Sequence, residues 1–252
     1  MMSFNKVTMA QVVLKQYRYK LTSYHQVFTS LAVLQLLALF FSSGGVMTSS
    51  AGSYGVDAYL NTYSGDLVII FTFLWGFINA ITMTTQAYRE DDFLFVTNRQ
   101  SQHLSNMLFL VTASVIGGLT ATLAGYLLRV ILFWTSDQGT FAGMVGESAT
   151  LIELLLSIVA VALYVLMFCA LGYLIGNVVQ LHRLFIVIIP VLAVGGLLLN
   201  GWMGNGSPIT LKVYAFFVGE TNMLLFLLKT LMTAVLLFAG SFALLRQKEV
   251  RT

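Results

Sequence analysis

The chain has 252 residues, 58% of them apolar and only 9% charged, with 13 Lys and Arg against 10 Asp and Glu for a net charge of +3. A water-soluble domain is about a quarter charged, so too few ionic groups are present to keep the surface of such a chain in water, and +3 is too little to argue for a nucleic-acid partner. Cys169 is the single cysteine, which excludes an intrachain disulfide and leaves the redox compartment unread.

In chain order, residues 6–21 come first. Val7, Ala10, Val13, Leu14, Tyr17 and Leu21 fall within an arc of about 120° on a helical wheel. Thr8, Gln11, Lys15, Gln16 and Arg18 cover most of the rest, while Met9 and Val12 break the pattern. The spacing predicts an amphipathic helix lying on a membrane surface; the plainer alternative is a basic tail. No cleavable signal peptide is expected, because the polar stretch before the first apolar run near Val27 is longer than an ordinary n-region.

A membrane-crossing helix needs about 20 mostly apolar residues. Six stretches qualify: 24–46, 67–86, 106–133, 151–176, 184–203 and 223–245. The first is the least apolar, interrupted by Gln35 and several Ser and Thr. Ten of the thirteen cations lie at one set of ends: Lys6, Lys15, Arg18, Lys20, Arg89, Arg99, Arg183, Arg246, Lys248 and Arg251. The opposite connections hold only Lys212. The positive-inside rule then places both termini in the cytoplasm. The expected fold class is all-α: a single polytopic membrane domain of six transmembrane helices with an N-terminal interfacial helix, resident in the cell membrane.

Among the connections, 42–53 is rich in Gly and Ser and reads as a flexible loop. The last outer one, 204–222, follows a strong turn signal and contains the apolar run 213–218, too short to span. It is either a re-entrant hairpin with Tyr214, Phe216 and Phe217 at headgroup level or a loop with an apolar patch.

Enzymatic signatures are absent. There is no phosphate-cradling GxxxxGK[ST] loop, no HExxH or CxxC spacing and no GxSxG elbow. His25, His103 and His182 are far apart, and Glu90, Asp91 and Asp92 read as a solvated helix boundary. No catalytic, cofactor-binding or metal-binding residue is therefore expected. Ionisable groups inside apolar stretches cost a few kcal/mol near the bilayer centre and are functional candidates. Three stand out. Arg129 and Glu153 flank a short connection and are placed to form an ion pair, while Lys229 either snorkels to the interface or faces a polar cavity. Gly117, Ala121 and Gly125 recur at four-residue spacing, as do Gly172 and Gly176, a pattern used for close helix approach. Pro190 permits a kink.

The second connection, 87–106, reads AYREDDFLFVTNRQSQHLSN. A charged cluster is followed by the apolar FLFV and then a polar run, the knobs and rim that docking to a cytoplasmic partner requires. Arg89, Glu90, Phe93, Phe95 and Arg99 are the candidate contacts; alternatively FLFV dips into the headgroups. With REDDFLFVTNR in this place, behind a basic amphipathic helix and among six spans, the chain resembles the ABC-2-type permeases, membrane subunits of bacterial ATP-driven exporters. The resemblance implies that this connection is the coupling helix of a permease. It also implies a second permease copy or a sister permease, cytoplasmic ABC ATPase subunits that carry ATP and Mg, and an amphipathic or peptide-like substrate. Two other classes compete: a non-transporting assembly or toxin-immunity protein, and an integral membrane enzyme.

Overall fold

The computed structural model of the chain describes residues 8–44, 47–53, 56–62, 65–88, 98–135, 150–180, 184–202, 212, 215–217, 219–220 and 222–249. The elements in order are α1 (Met9–Ser23), α2 (His25–Gly44), β1 (Met47–Ser53), β2 (Val56–Thr62), α3 (Asp66–Thr82), α4 (Arg99–Thr135), α5 (Leu151–Val179), α6 (Phe185–Trp202) and α7 (Met223–Glu249). The architecture is helical, and each of the six apolar stretches carries a helix. Four regions, His25–Ser42, Gln100–Ile131, Leu151–Val179 and Met223–Leu244, are long and apolar enough to cross a membrane. α3 is apolar but shorter, at 17 residues.

Local chemistry sets the helix ends. α1 begins after Thr8, whose N–H donates to the Gln11 side chain at 3.1 Å, and gives way to α2 at the Tyr24 turn. α3 starts with Asp66, an acid suited to the positive end of the helix dipole. It runs out at Thr82-Met83-Thr84-Thr85, where the Thr82, Thr84 and Thr85 hydroxyls bond back to backbone carbonyls and compete with the helical ladder. α5 opens with a capping box: the Thr150 N–H donates to Glu153 Oε2 at 3.0 Å, and the Glu153 N–H to Thr150 Oγ1 at 3.4 Å. Asn222 caps α7, its side-chain oxygen accepting the Leu224 N–H at 3.1 Å. α6 carries Pro190 in its interior.

One expectation is corrected. The Gly/Ser-rich stretch read as a loop forms an antiparallel hairpin, β1 pairing β2 from Met47↔Thr62 to Ser53↔Val56. Its own residues are poor strand formers; Val56, Tyr59, Leu60 and Thr62 opposite them supply the propensity.

The chain divides into two compact units, one of residues 1–17, 77–108 and 169–252, the other of 18–76 and 109–168. In the first, Phe226, Thr230, Ala234, Phe238 and Ser241 form the buried stripe of α7, while Leu224, Leu228, Val235 and Leu236 are exposed. Ala80, Met83, Cys169, Ala170 and Tyr173 complete that core. In the second, Val27, Leu31, Val68, Trp75, Phe109, Leu110, Leu128 and Val165 are buried, while Leu36, Leu74, Val115, Leu119 and Leu155 are exposed. α4 follows the same rule along its length, with Ser101, Ser105, Ala113, Ser114, Ala121 and Thr122 turned in and Leu104, Leu108, Val111, Val115 and Leu119 turned out. Small and polar side chains share the interior with Phe109, Leu110, Leu128 and Val165, while branched apolar ones cover the outside, and such an exterior is the reverse of a water-soluble protein. It suits a solvent as apolar as leucine, where close packing and internal hydrogen bonds hold helices together.

Close approach is localised. A Cβ on Gly118 would stand 2.6 Å from the Ala162 backbone, and one on Gly172 would run into the Phe77 carbonyl. A Cβ on Gly117 would press on Thr72 at 3.3 Å and on Trp75 at 3.4 Å, whereas one on Gly125, Gly195 or Gly196 would meet open space. The four-residue pattern thus marks close approach at Gly117, at Gly172, at Gly176, which abuts Thr84, and at Gly125, whose Cα would lie 3.1 Å from a Cβ on Gly65.

Candidate functional site

Polar side chains buried on facing helices are the candidates, since a hydrogen-bonding group kept from water and from lipid must be answered by the protein. The first unit holds the larger set. His103, one turn into α4, is buried, with its Nδ1 3.0 Å from the Tyr173 hydroxyl of α5. Asn106 Nδ2 donates to the same hydroxyl at 3.4 Å. The imidazole also faces the Phe238 backbone on α7. Ring contacts reinforce the joint: His103 lies 5.2 Å from Tyr173 and 5.3 Å from Phe242 by centroids, and Tyr173 lies 6.0 Å from Phe238. One turn along α5, the Asn177 amide donates to the Ser241 hydroxyl of α7. α4, α5 and α7 are thus joined by three buried hydrogen bonds.

The second unit has its own set. Gln35 Nε2 of α2 donates to Thr72 Oγ1 of α3 at 3.1 Å and to Thr120 Oγ1 of α4 at 3.0 Å. Both threonines pass their own protons to carbonyls one turn back, Val68 and Ile116, which leaves their oxygens free to accept. Trp75 Nε1 of α3 reaches the Val27 carbonyl at 3.2 Å and Ser30 Oγ at 3.1 Å on α2. Gln35, which lowers the apolar character of its stretch, is therefore a three-helix clamp. Its benefit lies in the partners, which the sequence does not mark.

The ionisable residues singled out in the sequence are not brought together. Arg129 is exposed, its guanidinium 5.3 Å from the Tyr126 ring. Glu153 is exposed and committed to Thr150, and among the described residues no ion pair joins it to Arg129. The Thr150-Leu151-Ile152-Glu153 spacing was the available signal for the capping box. Lys229 is half-buried, forms an ion pair with Glu220 and lies 4.3 Å from the centre of the Phe216 ring. It is answered by the segment just before α7. That segment holds a helical turn at 215–217, closed by the Gly219 N–H on the Ala215 carbonyl. Of the proposed docking residues, Arg89, Glu90, Phe93 and Phe95 lie outside the described residues. Arg99 opens α4, and Asn98 before it accepts the Ser101 N–H and hydroxyl on its carbonyl.

Among the described residues no group of three His, Cys, Asp or Glu is placed to hold a metal ion. No protein-family model, curated protein or solved structure matches the chain.

Proposed function

We propose that the chain is the membrane permease subunit of an ABC-type exporter, a six-span protein of the cell membrane with both termini in the cytoplasm. The observation that carries this reading is the coincidence of helices with all six apolar stretches, together with ten cations at one set of helix ends. α3 and α6 complete the six as the two shorter spans. Energy would come from partner ATPases holding ATP and Mg, because the chain lacks a phosphate-cradling loop and a catalytic constellation. A second copy or a sister permease would complete the pathway for an amphipathic or peptide-like substrate.

In this reading Arg89, Glu90, Phe93, Phe95 and Arg99 meet the ATPase, and the push enters α4 at its first turn. His103 and Asn106 lie within the next two turns and are bonded to Tyr173, so α5 and α7 would move with α4. Affinity purification of the full chain in mild detergent is expected to bring down an ATP-binding-cassette ATPase. Phe93→Asp with Phe95→Asp is expected to abolish that association and the ATP-dependent export while leaving the chain in the membrane. An unchanged association in that variant would remove the coupling assignment.

A further inference from the structure

α1 has three faces. With 100° between residues, Val13, Gln16, Lys20 and Tyr24 share one arc, and these four are buried, Gln16 to 0% and Lys20 to 1% exposure. Ala10, Leu14, Tyr17 and Leu21 share the second, an apolar stripe that is exposed or half-exposed, with Leu14 at 47%. Gln11, Lys15, Arg18 and Thr22 share the third and are all exposed. The face turned toward the protein therefore carries an amide and an ammonium group, and the apolar stripe is left uncovered. An exposed apolar stripe bordered by cations fits the boundary between acyl chains and headgroups. Lys15 and Arg18 are three residues apart, on adjoining turns, and neither has an ion-pair partner among the described residues. Lys20, which a count of basic residues would add to them, is withdrawn into the protein.

We infer that α1 is a lipid-recognition element whose Lys15 and Arg18 bind the phosphate headgroups of anionic phospholipids while Ala10, Leu14, Tyr17 and Leu21 sit among the acyl chains. The occupant follows from charge: two exposed cations one turn apart beside an apolar stripe match an anionic headgroup above its chains, whereas a zwitterionic surface offers no net attraction. The inference rests on the reading of α1 as an interfacial helix and adds selectivity to it.

The test uses the full chain with Cys169 replaced by alanine, reconstituted in nanodiscs of phosphatidylcholine alone or with added phosphatidylglycerol. An environment-sensitive fluorophore is attached through Leu14→Cys or, separately, Thr22→Cys. The label at 14 is expected to be quenched by lipid-borne quenchers and the label at 22 to remain in water. Phosphatidylglycerol should deepen the quenching at 14, and salt should reverse that gain. In Lys15→Gln with Arg18→Gln, apparent affinity for phosphatidylglycerol should fall roughly thirty-fold at low salt. Both side chains are exposed, and an unchanged thermal transition verifies that the variant folds. A label at 14 that stays in water in both lipids would overturn the interfacial seating itself. Equal quenching in both lipids, or a double variant that keeps the phosphatidylglycerol response, would leave the seating standing and overturn the headgroup site.

Discussion

The Tyr173 hydroxyl is where single atoms matter most. It serves His103 Nδ1 and Asn106 Nδ2 at once, and both are buried. Removing it takes from the buried His103 Nδ1 its hydroxyl partner and from Asn106 one of its contacts. Tyr173→Phe is expected to cost about 1–3 kcal/mol, read as a lower thermal transition of the protein in detergent. Combined with His103→Gln, the loss should be clearly less than the sum of the two, since both variants break one network. Additive losses would mean that His103 and Tyr173 act separately. Nothing in the sequence pairs these two residues, which are 70 positions apart. His103 looks like one of three scattered histidines until α5 and α7 are folded against α4.

At the level of helices, the fold depends on a few points of near-contact. Gly118 against Ala162 and Gly172 against Phe77 leave no room for a methyl group, because the obstructing atoms are backbone and cannot swing away. Gly118→Ala and Gly172→Ala are each expected to destabilise by about 1–3 kcal/mol through overpacking. Gly195→Ala, which faces open space, should be neutral or slightly stabilising. Thermal unfolding of the three variants side by side checks the contrast, and equal effects at all three would show that the helices are not held at these points. Small-residue spacing pointed toward Gly172 and Gly176 correctly. It also selected Gly125, whose backbone Gly65 approaches closely, and it passed over Gly118, the tightest glycine of α4. Helix ends rest on local signals that were passed over: the Thr150/Glu153 box and the Asn222 cap act through residues within one turn.

For the molecule as a whole, the distribution of cations predicts an orientation. In a Cys169→Ala background, Asn98→Cys should resist a membrane-impermeant maleimide added to intact cells and react once the membrane is opened. Lys212→Cys, the lone cation of the opposite connections, should react from outside. Labelling at 98 in intact cells would reverse the topology and remove the proposed ATPase contact with it. The exposed leucines and valines of α2, α4, α5 and α7 agree with lipid as the surrounding medium.

Composition and apolar run length settled by themselves that the chain is helical and where its helices lie, because a backbone in lipid must satisfy its hydrogen bonds within the segment and that requirement is written residue by residue. The hairpin after α2 escaped that reading, since its pairing depends on a partner strand rather than on its own residues. Only the tertiary structure decided which polar groups answer one another. Gln35 with Thr72 and Thr120, His103 with Tyr173, and Lys229 with Glu220 are all products of folding. It also decided that α1 turns Gln16 and Lys20 inward and its apolar stripe outward. A helical wheel gives the angle between faces but not what lies against each, and that is fixed only when the remaining helices are in place.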